Sequence, residues 1–204
     1  MSLTHVFDLG KVLVDYDFGL FERRLAAACR PGAPVMEVVG RHLDRIRPEI
    51  GGDFDSVHPL LVRDLELAMS LEELRLAWND IFTPLPGMAE LVAETPRPRY
   101  LLSTTNEPHA TWIRERFGYV FGLFDRCFLS NEIGLAKPDI ALFRHVERET
   151  GVEPGRLLFV DDLAENVMAA QAAGWRAIQF TGVEACRRQI AQAVAEDATE
   201  STPK

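Results

Sequence analysis

Five short apolar runs, at residues 4–8, 99–103, 126–129, 157–160 and 176–180, punctuate this chain, each bounded by turn or polar residues. Runs this brief and uniformly apolar read as strands buried on both faces. Helical patterns separate the later ones. Pro108 to Phe117 is one, Ile140 to Thr150 closes on Gly151, and Glu165 to Ala173 closes on Gly174. Glycine just past the last turn is the expected C-terminal stop. Strand and helix alternating in this way imply right-handed crossovers and a parallel sheet covered by helices.

One long interval breaks the alternation. From Phe18 to Thr83 apolar residues recur only at helical spacing: Phe21, Leu25 and Ala28, then Val57, Leu60, Leu61 and Leu65, then Leu71, Leu74, Ala77, Trp78 and Ile81, with a break at Gly51-Gly52. The pattern predicts a helical cap over 18–83, inserted after the first strand. Residues 1–17 and 84–204 then form the core, re-entered through Thr83-Pro84-Leu85-Pro86-Gly87 and a helix from Met88 to Ala93. The expected fold class is α/β, a Rossmann-like parallel sheet flanked by helices and carrying that cap.

A 47% hydrophobic content over 204 residues supports a sizeable core. The net charge of −9 argues against nucleic acid or an anionic membrane as partner. An acidic chain that handles phosphate needs a local correction, from a cation and a few placed basic side chains. Cys29, Cys127 and Cys186 are widely spaced and follow no metal-ligand pattern, so they read as reduced thiols. No apolar segment is long enough for a bilayer and no basic-then-apolar leader opens the chain, so the expected location is the cytoplasm. The polar tail from Glu196 is expected to fray.

Chemistry concentrates at four places. Asp8 ends the first strand and precedes Leu9-Gly10, and a carboxylate there can attack phosphorus. Leu101-Leu102-Ser103-Thr104-Thr105-Asn106 runs from a strand into a helix opened by Glu107-Pro108, where hydroxyls and backbone N–H groups can hold phosphate oxygens; simple capping by Asn106 or Thr105 is the plainer reading. Gly134-Leu135-Ala136-Lys137-Pro138-Asp139 presents a lysine able to lie between a carboxylate and a phosphate, or simply in solvent. Phe159-Val160-Asp161-Asp162-Leu163-Ala164-Glu165-Asn166 closes a strand with two acids, a donor set suited to Mg²⁺. A helix N-terminus explains Glu165 but not two acids ending an apolar strand.

In this order, each at a strand end or the loop after it, the four pieces resemble the haloacid dehalogenase-like hydrolase superfamily across nearly the whole chain. The nearest resemblance is to its Asp-Leu-Gly branch, which includes small bacterial sugar-phosphate phosphatases and the amino-terminal phosphatase type of epoxide hydrolases. That resemblance implies Asp8 as nucleophile, Ser103 and Thr104 with Lys137 as substrate-binding residues, and Lys137 as a catalytic bridge between Asp8 and phosphate. Mg²⁺ would be held by Asp8, the Gly10 carbonyl and Asp162, with Asp161 in an outer position. The implied activity is a phosphomonoester hydrolase acting through an aspartyl phosphate on a small phosphorylated metabolite.

Gly10 departs from the pattern, because many such enzymes carry a second carboxylate there as proton donor, a group worth about 10²–10⁴ in rate. Two expectations follow. The substrate has a good leaving group, such as a sugar 1-phosphate, or another residue supplies the proton; Asp15, Asp17, Glu107 and His109 are the nearby candidates. Thr104 and Lys11 also depart from the usual residues. A 2-haloacid dehalogenase-type hydrolase and a non-catalytic binding module on the same fold are the rival readings. Arg23, Arg24, Arg41, His42, Arg45 and Arg47 form a basic stretch in the cap to which no role is assigned.

Overall fold

Val6, Phe7, Leu101, Leu102, Phe159 and Val160 are all completely buried, as central strands with helices on both faces require. The computed structural model describes residues 3–200. Its strands and helices, in chain order, are β1 (Thr4–Phe7), β2 (Val14–Tyr16), α1 (Phe18–Ala27), α2 (Val35–Ile46), α3 (His58–Leu65), α4 (Leu71–Asn79), β3 (Phe82–Pro84), α5 (Met88–Glu94), β4 (Arg99–Ser103), α6 (Glu107–Arg116), α7 (Gly118–Phe121), β5 (Arg126–Leu129), α8 (Ser130–Ile133), α9 (Ile140–Thr150), β6 (Leu157–Asp161), α10 (Ala164–Ala172), β7 (Arg176–Gln179) and α11 (Val183–Glu200).

Five strands form one sheet in the order β5-β4-β1-β6-β7. Every pairing in it is parallel, with Phe7 opposite Leu101 on one side and Val160 on the other. Alternate residues face opposite ways along a strand. Phe7, Leu101 and Val160 therefore pack with Met88, Val92 and Ile113 on one face, while Val6, Leu102 and Phe159 pack with Leu142, Phe143 and Val146 on the other. All five expected strands are present, shifted by at most a residue at their ends.

The chain leaves β1, builds helices α1 to α4, and returns to the sheet at β4, so the insertion after the first strand is helical. Its apolar residues form a cluster of their own, including Phe21, Leu25, Leu61, Leu65, Leu74 and Trp78. Gly52 allows the tight passage after α2, since a Cβ there would stand 1.7 Å from the Ile46 carbonyl oxygen.

Two features depart from the sequence expectation. Val14–Tyr16 and Phe82–Pro84 pair antiparallel as a separate two-stranded ladder, Tyr16 opposite Phe82. Each strand is three residues long and its partner lies far along the chain, so neither alternation nor a hairpin turn announces it. The polar tail does not fray at Glu196. Helix α11 continues through Glu200, and buried Asp197 ion-pairs with Arg156 and Arg176. Residues 201–204 of the expected tail lie outside the described residues. Among the described residues, no helix is long and apolar enough to cross a membrane.

Candidate active site

The sheet order puts a topological switch at β1. The chain first adds β4 and β5 on one side, then crosses to β6 and β7 on the other. Open α/β sheets bind ligands outside the carboxyl ends of strands at such a point. Asp8 follows β1, Ser103 ends β4 and Asp161 ends β6, so adjacent strands deliver all three side chains to one place. The Asp8 N–H donates to the Val160 carbonyl, extending the β1–β6 ladder by one residue and fixing where the carboxylate emerges.

Lys137 joins them from the loop before α9. Its ammonium lies 2.7 Å from Asp8 Oδ1 and 2.6 Å from Asp161 Oδ2, and 5.5 Å above the Phe159 ring. The Lys137 N–H donates to Thr104 Oγ1 at 3.0 Å, tying the Ser103–Asn106 loop to the lysine loop. Asp161 is completely buried, and its carboxylate also accepts from Asn166 Nδ2 and the Leu163 N–H. Half-buried Asp162 has no neighbouring side chain bonded to its carboxylate among the described residues.

Asp8, Asp161 and Asp162 each offer an oxygen within 4.8 Å of the others. One lysine against three carboxylates leaves an uncompensated charge of about −2 when all are ionised. Burial, partly countered by Lys137 and reinforced by Asp161, pushes Asp8 up to about 7. Burial and then Asp161 raise Asp162 above the usual carboxylate range. Burial opposes the charge on Lys137, but Asp8 and Asp161 outweigh it and hold its pKa up. Hard oxygen donors clustered with excess negative charge fit a divalent cation of the Mg²⁺ kind.

A cavity of about 300 Å³ opens beside this knot, walled by Leu9, Gly10, Ser103 and Thr104 on the sheet side. Its other walls include five rings, Tyr16, Phe18, Trp78, Phe82 and His109, together with Val14, Leu43, Pro48 and Ile113 and the polar Glu49, Thr105 and Asn106. Trp78 stacks on His109 with centroids 4.6 Å apart, and Phe82 meets the same imidazole edge-on at 4.8 Å. Tyr16 packs against Phe18 at 5.1 Å and Phe82 at 6.1 Å.

Of the four candidate proton donors only His109 lines this cavity, and each of the four is already hydrogen-bonded or ion-paired. Asp15 is bonded to Lys11, and that hydrogen bond holds its pKa below the usual carboxylate value. Asp17 pairs with Arg23 at the surface, and Glu107 accepts from Thr111 on another face. His109 uses both ring nitrogens, Nδ1 with Asn106 and Nε2 with the Trp78 carbonyl, and burial pushes its pKa down to about 3. It is a neutral structural imidazole. In the basic stretch, Arg23, Arg24, Arg41, His42 and Arg47 each face a carboxylate. The cavity lining contains no lysine or arginine.

The structure adds residues that the sequence did not single out. Asn166 and Ser130 brace the site: Ser130 Oγ accepts from the Thr105 N–H and donates to the Thr105 carbonyl. Asn166 stands within the acidic stretch of the sequence, a usable signal. Ser130 and the aromatic walls gather from distant segments and leave no local motif.

Residues 4–174 match the haloacid dehalogenase-like hydrolase family, and the chain belongs to it. It is 34% identical over 95 residues to the sesquiterpene phosphatase astK of Aspergillus oryzae, covering 47% of this chain and 48% of that protein. The stretches shared with three curated relatives span 13% to 56% of those relatives' length. In fold it is similar to a HAD family enzyme from Bacteroides thetaiotaomicron in complex with magnesium and inorganic phosphate, with TM-score 0.76, 23% identity, and coverage of 88% of this chain and 94% of that one. It is also similar to the L-2-haloacid dehalogenase of Xanthobacter autotrophicus with chloropropionic acid covalently bound, with TM-score 0.63, 23% identity, and coverage of 94% and 83%.

Proposed function

We propose that this hydrolase is a Mg²⁺-dependent phosphomonoesterase that works through an aspartyl phosphate on Asp8. The observation that carries this reading is the charge imbalance at the ends of β1 and β6, three clustered carboxylates against one buried lysine. A dehalogenase attacks with a carboxylate but has no use for the extra pair Asp161 and Asp162. A binding module has no use for a nucleophile already placed against a buried cation.

Asp8, Asp162 and the Gly10 carbonyl would hold the metal, with Asp161 behind them because its oxygens already serve Lys137, Asn166 and Leu163. A bound divalent cation supplies positive charge against the carboxylates and the phosphate. In the first step an Asp8 oxygen attacks phosphorus, the bond to the ester oxygen breaks, and its electron pair leaves on an alkoxide that takes a proton from solvent water. In the second, water attacks phosphorus and frees Asp8 and inorganic phosphate. Lys137 favours the anionic form of Asp8 against its burial and offsets its repulsion from phosphate, while Ser103 and Thr104 position the transferring group.

The alcohol portion would sit in the aromatic cavity. Sugar hydroxyls need several unpaired polar partners; His109 and Asn106 are bonded to each other and one Glu49 oxygen to Arg47, which leaves chiefly the Tyr16 hydroxyl and the second Glu49 oxygen beside the rings. The lining therefore favours a hydrocarbon alcohol over the sugar 1-phosphate expected from sequence, a preference in keeping with the relative that is a sesquiterpene phosphatase.

Phosphate release from p-nitrophenyl phosphate, an isoprenoid monophosphate, and sugar 1- and 6-phosphates, with Mg²⁺ or chelator, tests both levels. Metal-dependent release lost in Asp8→Asn supports the phosphatase. Higher kcat/KM for the isoprenoid ester supports the hydrocarbon alcohol, whereas preference for sugar 1-phosphate restores the sequence expectation. Absence of release from every ester removes the reading.

A further inference from the structure

Gly10 is a glycine for a reason its backbone does not supply. Its φ lies outside the left-handed region, so any residue could adopt it. The constraint is a neighbour. A Cβ on Gly10 would stand 3.1 Å from Tyr16 Cε1 and 3.7 Å from Cδ1. Fewer than one in ten real Cβ contacts are that tight, and a carboxylate would reach further into the same ring.

The half-buried ring would have to give by a few tenths of an ångström to admit that Cβ, and its contacts oppose the move. Phe18 and Phe82 hold it edge-on from two sides, and the Lys11 ammonium lies 4.5 Å from its centroid while donating to the Tyr16 carbonyl at 2.9 Å. Lys11 itself adopts φ +57, an uncommon conformation for a side-chain-bearing residue. That turn folds β2 back, so that Tyr16 overlies residue 10 and pairs with Phe82 on β3. Tyr16 also lines the cavity alongside Phe18, Phe82 and Ser103.

We propose that Tyr16 is the specificity-determining residue of this site, its ring filling the space that a side chain at position 10 would need. An aromatic wall thereby stands where a proton donor could stand, and esters are selected by how their alcohol packs on that ring and by how well their oxygen leaves unaided. The ring is the operative part, not the hydroxyl. Burial, then Asp162 and Asp8, hold the phenol above its ordinary pKa, so it adds no further negative charge. The proposal rests on the phosphatase reading above.

The test is a double-mutant cycle between Gly10→Asp and Tyr16→Leu, with Tyr16→Phe as the ring-preserving variant. It uses p-nitrophenyl phosphate, whose oxygen leaves without a proton, and octyl phosphate, whose oxygen needs one. Gly10→Asp alone should give no gain in octyl phosphate turnover, and should lower it where the strained contact with Tyr16 shifts the Gly10 backbone. In the Tyr16→Leu background the same change should raise it at least about tenfold, the low side of what general acid help supplies, and should move p-nitrophenyl phosphate much less. Tyr16→Leu should lower the preference for octyl phosphate over glucose 1-phosphate about tenfold, chiefly through KM, and Tyr16→Phe should keep that preference.

A readout independent of turnover comes from Gly10→Ala, which should lower Tm when Tyr16 is present and less when it is leucine. Equal effects of the position-10 changes in both backgrounds, or an unchanged preference in Tyr16→Leu, overturn the proposal while leaving the phosphatase in place. A wild-type enzyme that releases no phosphate from any of these esters removes both.

Discussion

At the ends of β1 and β6 the protein holds charge out of water, whereas a few ångströms away, under the helical insertion, it holds aromatic rings together. The first region costs stability. Asp8, Asp161 and Lys137 are all buried, and removing ions from water costs several kcal/mol each, by order of magnitude, before any attraction repays it. The second contributes stability. Trp78 stacks on Phe54 at 5.1 Å and His109 at 4.6 Å and meets Phe21 edge-on at 4.9 Å, pairs worth about 0.5–1.5 kcal/mol each beyond the area buried. On the proposed reading, reaction type is set in the region the fold must stabilise from elsewhere, and substrate choice in a region that helps to stabilise it.

The sharpest way to break that contrast is to remove the one cation of the charged region. Lys137→Ala leaves Asp8 and Asp161 facing each other with no buried cation between them. Breaking such a group by deleting one member costs about 3–5 kcal/mol, so both the urea midpoint and turnover should collapse. Retained stability with lost turnover would mean that water reaches the carboxylates and that the region is not dry. Trp78→Ala is the matching change in the aromatic region, with an expected cost of about 3–5 kcal/mol for a buried aromatic. Its effect on chemistry should differ: KM for apolar esters rises, while Mg²⁺ dependence is kept. Loss of Mg²⁺ dependence in this variant would show that the two regions are not separable.

The same contrast explains what could be read from the sequence. Asp8, Ser103, Asp161 and Asp162 end a strand or follow one directly and Lys137 stands in a Gly-Leu-Ala-Lys-Pro-Asp loop, so each announces itself locally, and the strand runs around them fix the sheet. Asn166 was equally visible. The aromatic region comes from β2, α1, α4, β3 and α6, and each of its members reads in isolation as an ordinary core residue. Tyr16 is the clearest case: its proximity to Gly10 follows from a left-handed Lys11 and a three-residue ladder to Phe82, and neither leaves a periodic signal. The candidate proton donors are bonded elsewhere for a related reason. Sequence proximity put Asp15 and His109 near the motifs, but Lys11 engages one and Asn106 with Trp78 the other.

Metal addition sharpens the comparison at smaller scale. A cation bound at about one hundred times its Kd stabilises the folded protein by about 2.7 kcal/mol. Mg²⁺ should therefore raise Tm in the wild type and in Trp78→Ala alike. In Asp8→Asn the metal-free Tm should rise, since a buried carboxylate is gone, and the Mg²⁺ increment should shrink. An equal increment in wild type and Asp8→Asn would place the cation elsewhere.

The smallest expected effect is a pH dependence arising in the aromatic region. The folded-state pKa of His109 is about 3 and its ordinary value 6.5, with burial as the main cause. The unfolded chain therefore binds the extra proton between those values. The contribution of neutral His109 is fully present above about pH 6.5 and is lost as pH falls toward 3. At 1.36 kcal/mol per pH unit, the loss at pH 5 is about 2 kcal/mol. His5, pushed down to about 4 by burial and then Arg99 at the far end of the sheet, acts with the same sign. Asp8 acts with the opposite sign, because its raised pKa makes the folded state the proton-binding one between 3.8 and about 7. The informative quantity is therefore the difference between wild type and His109→Gln, in which those two cancel. Urea midpoints at pH 7.5 and 5 should fall further for wild type than for His109→Gln, by about 2 kcal/mol in stability. Parallel losses would show that the imidazole protonates in place, and with it that the aromatic region is as wet as the charged one is dry.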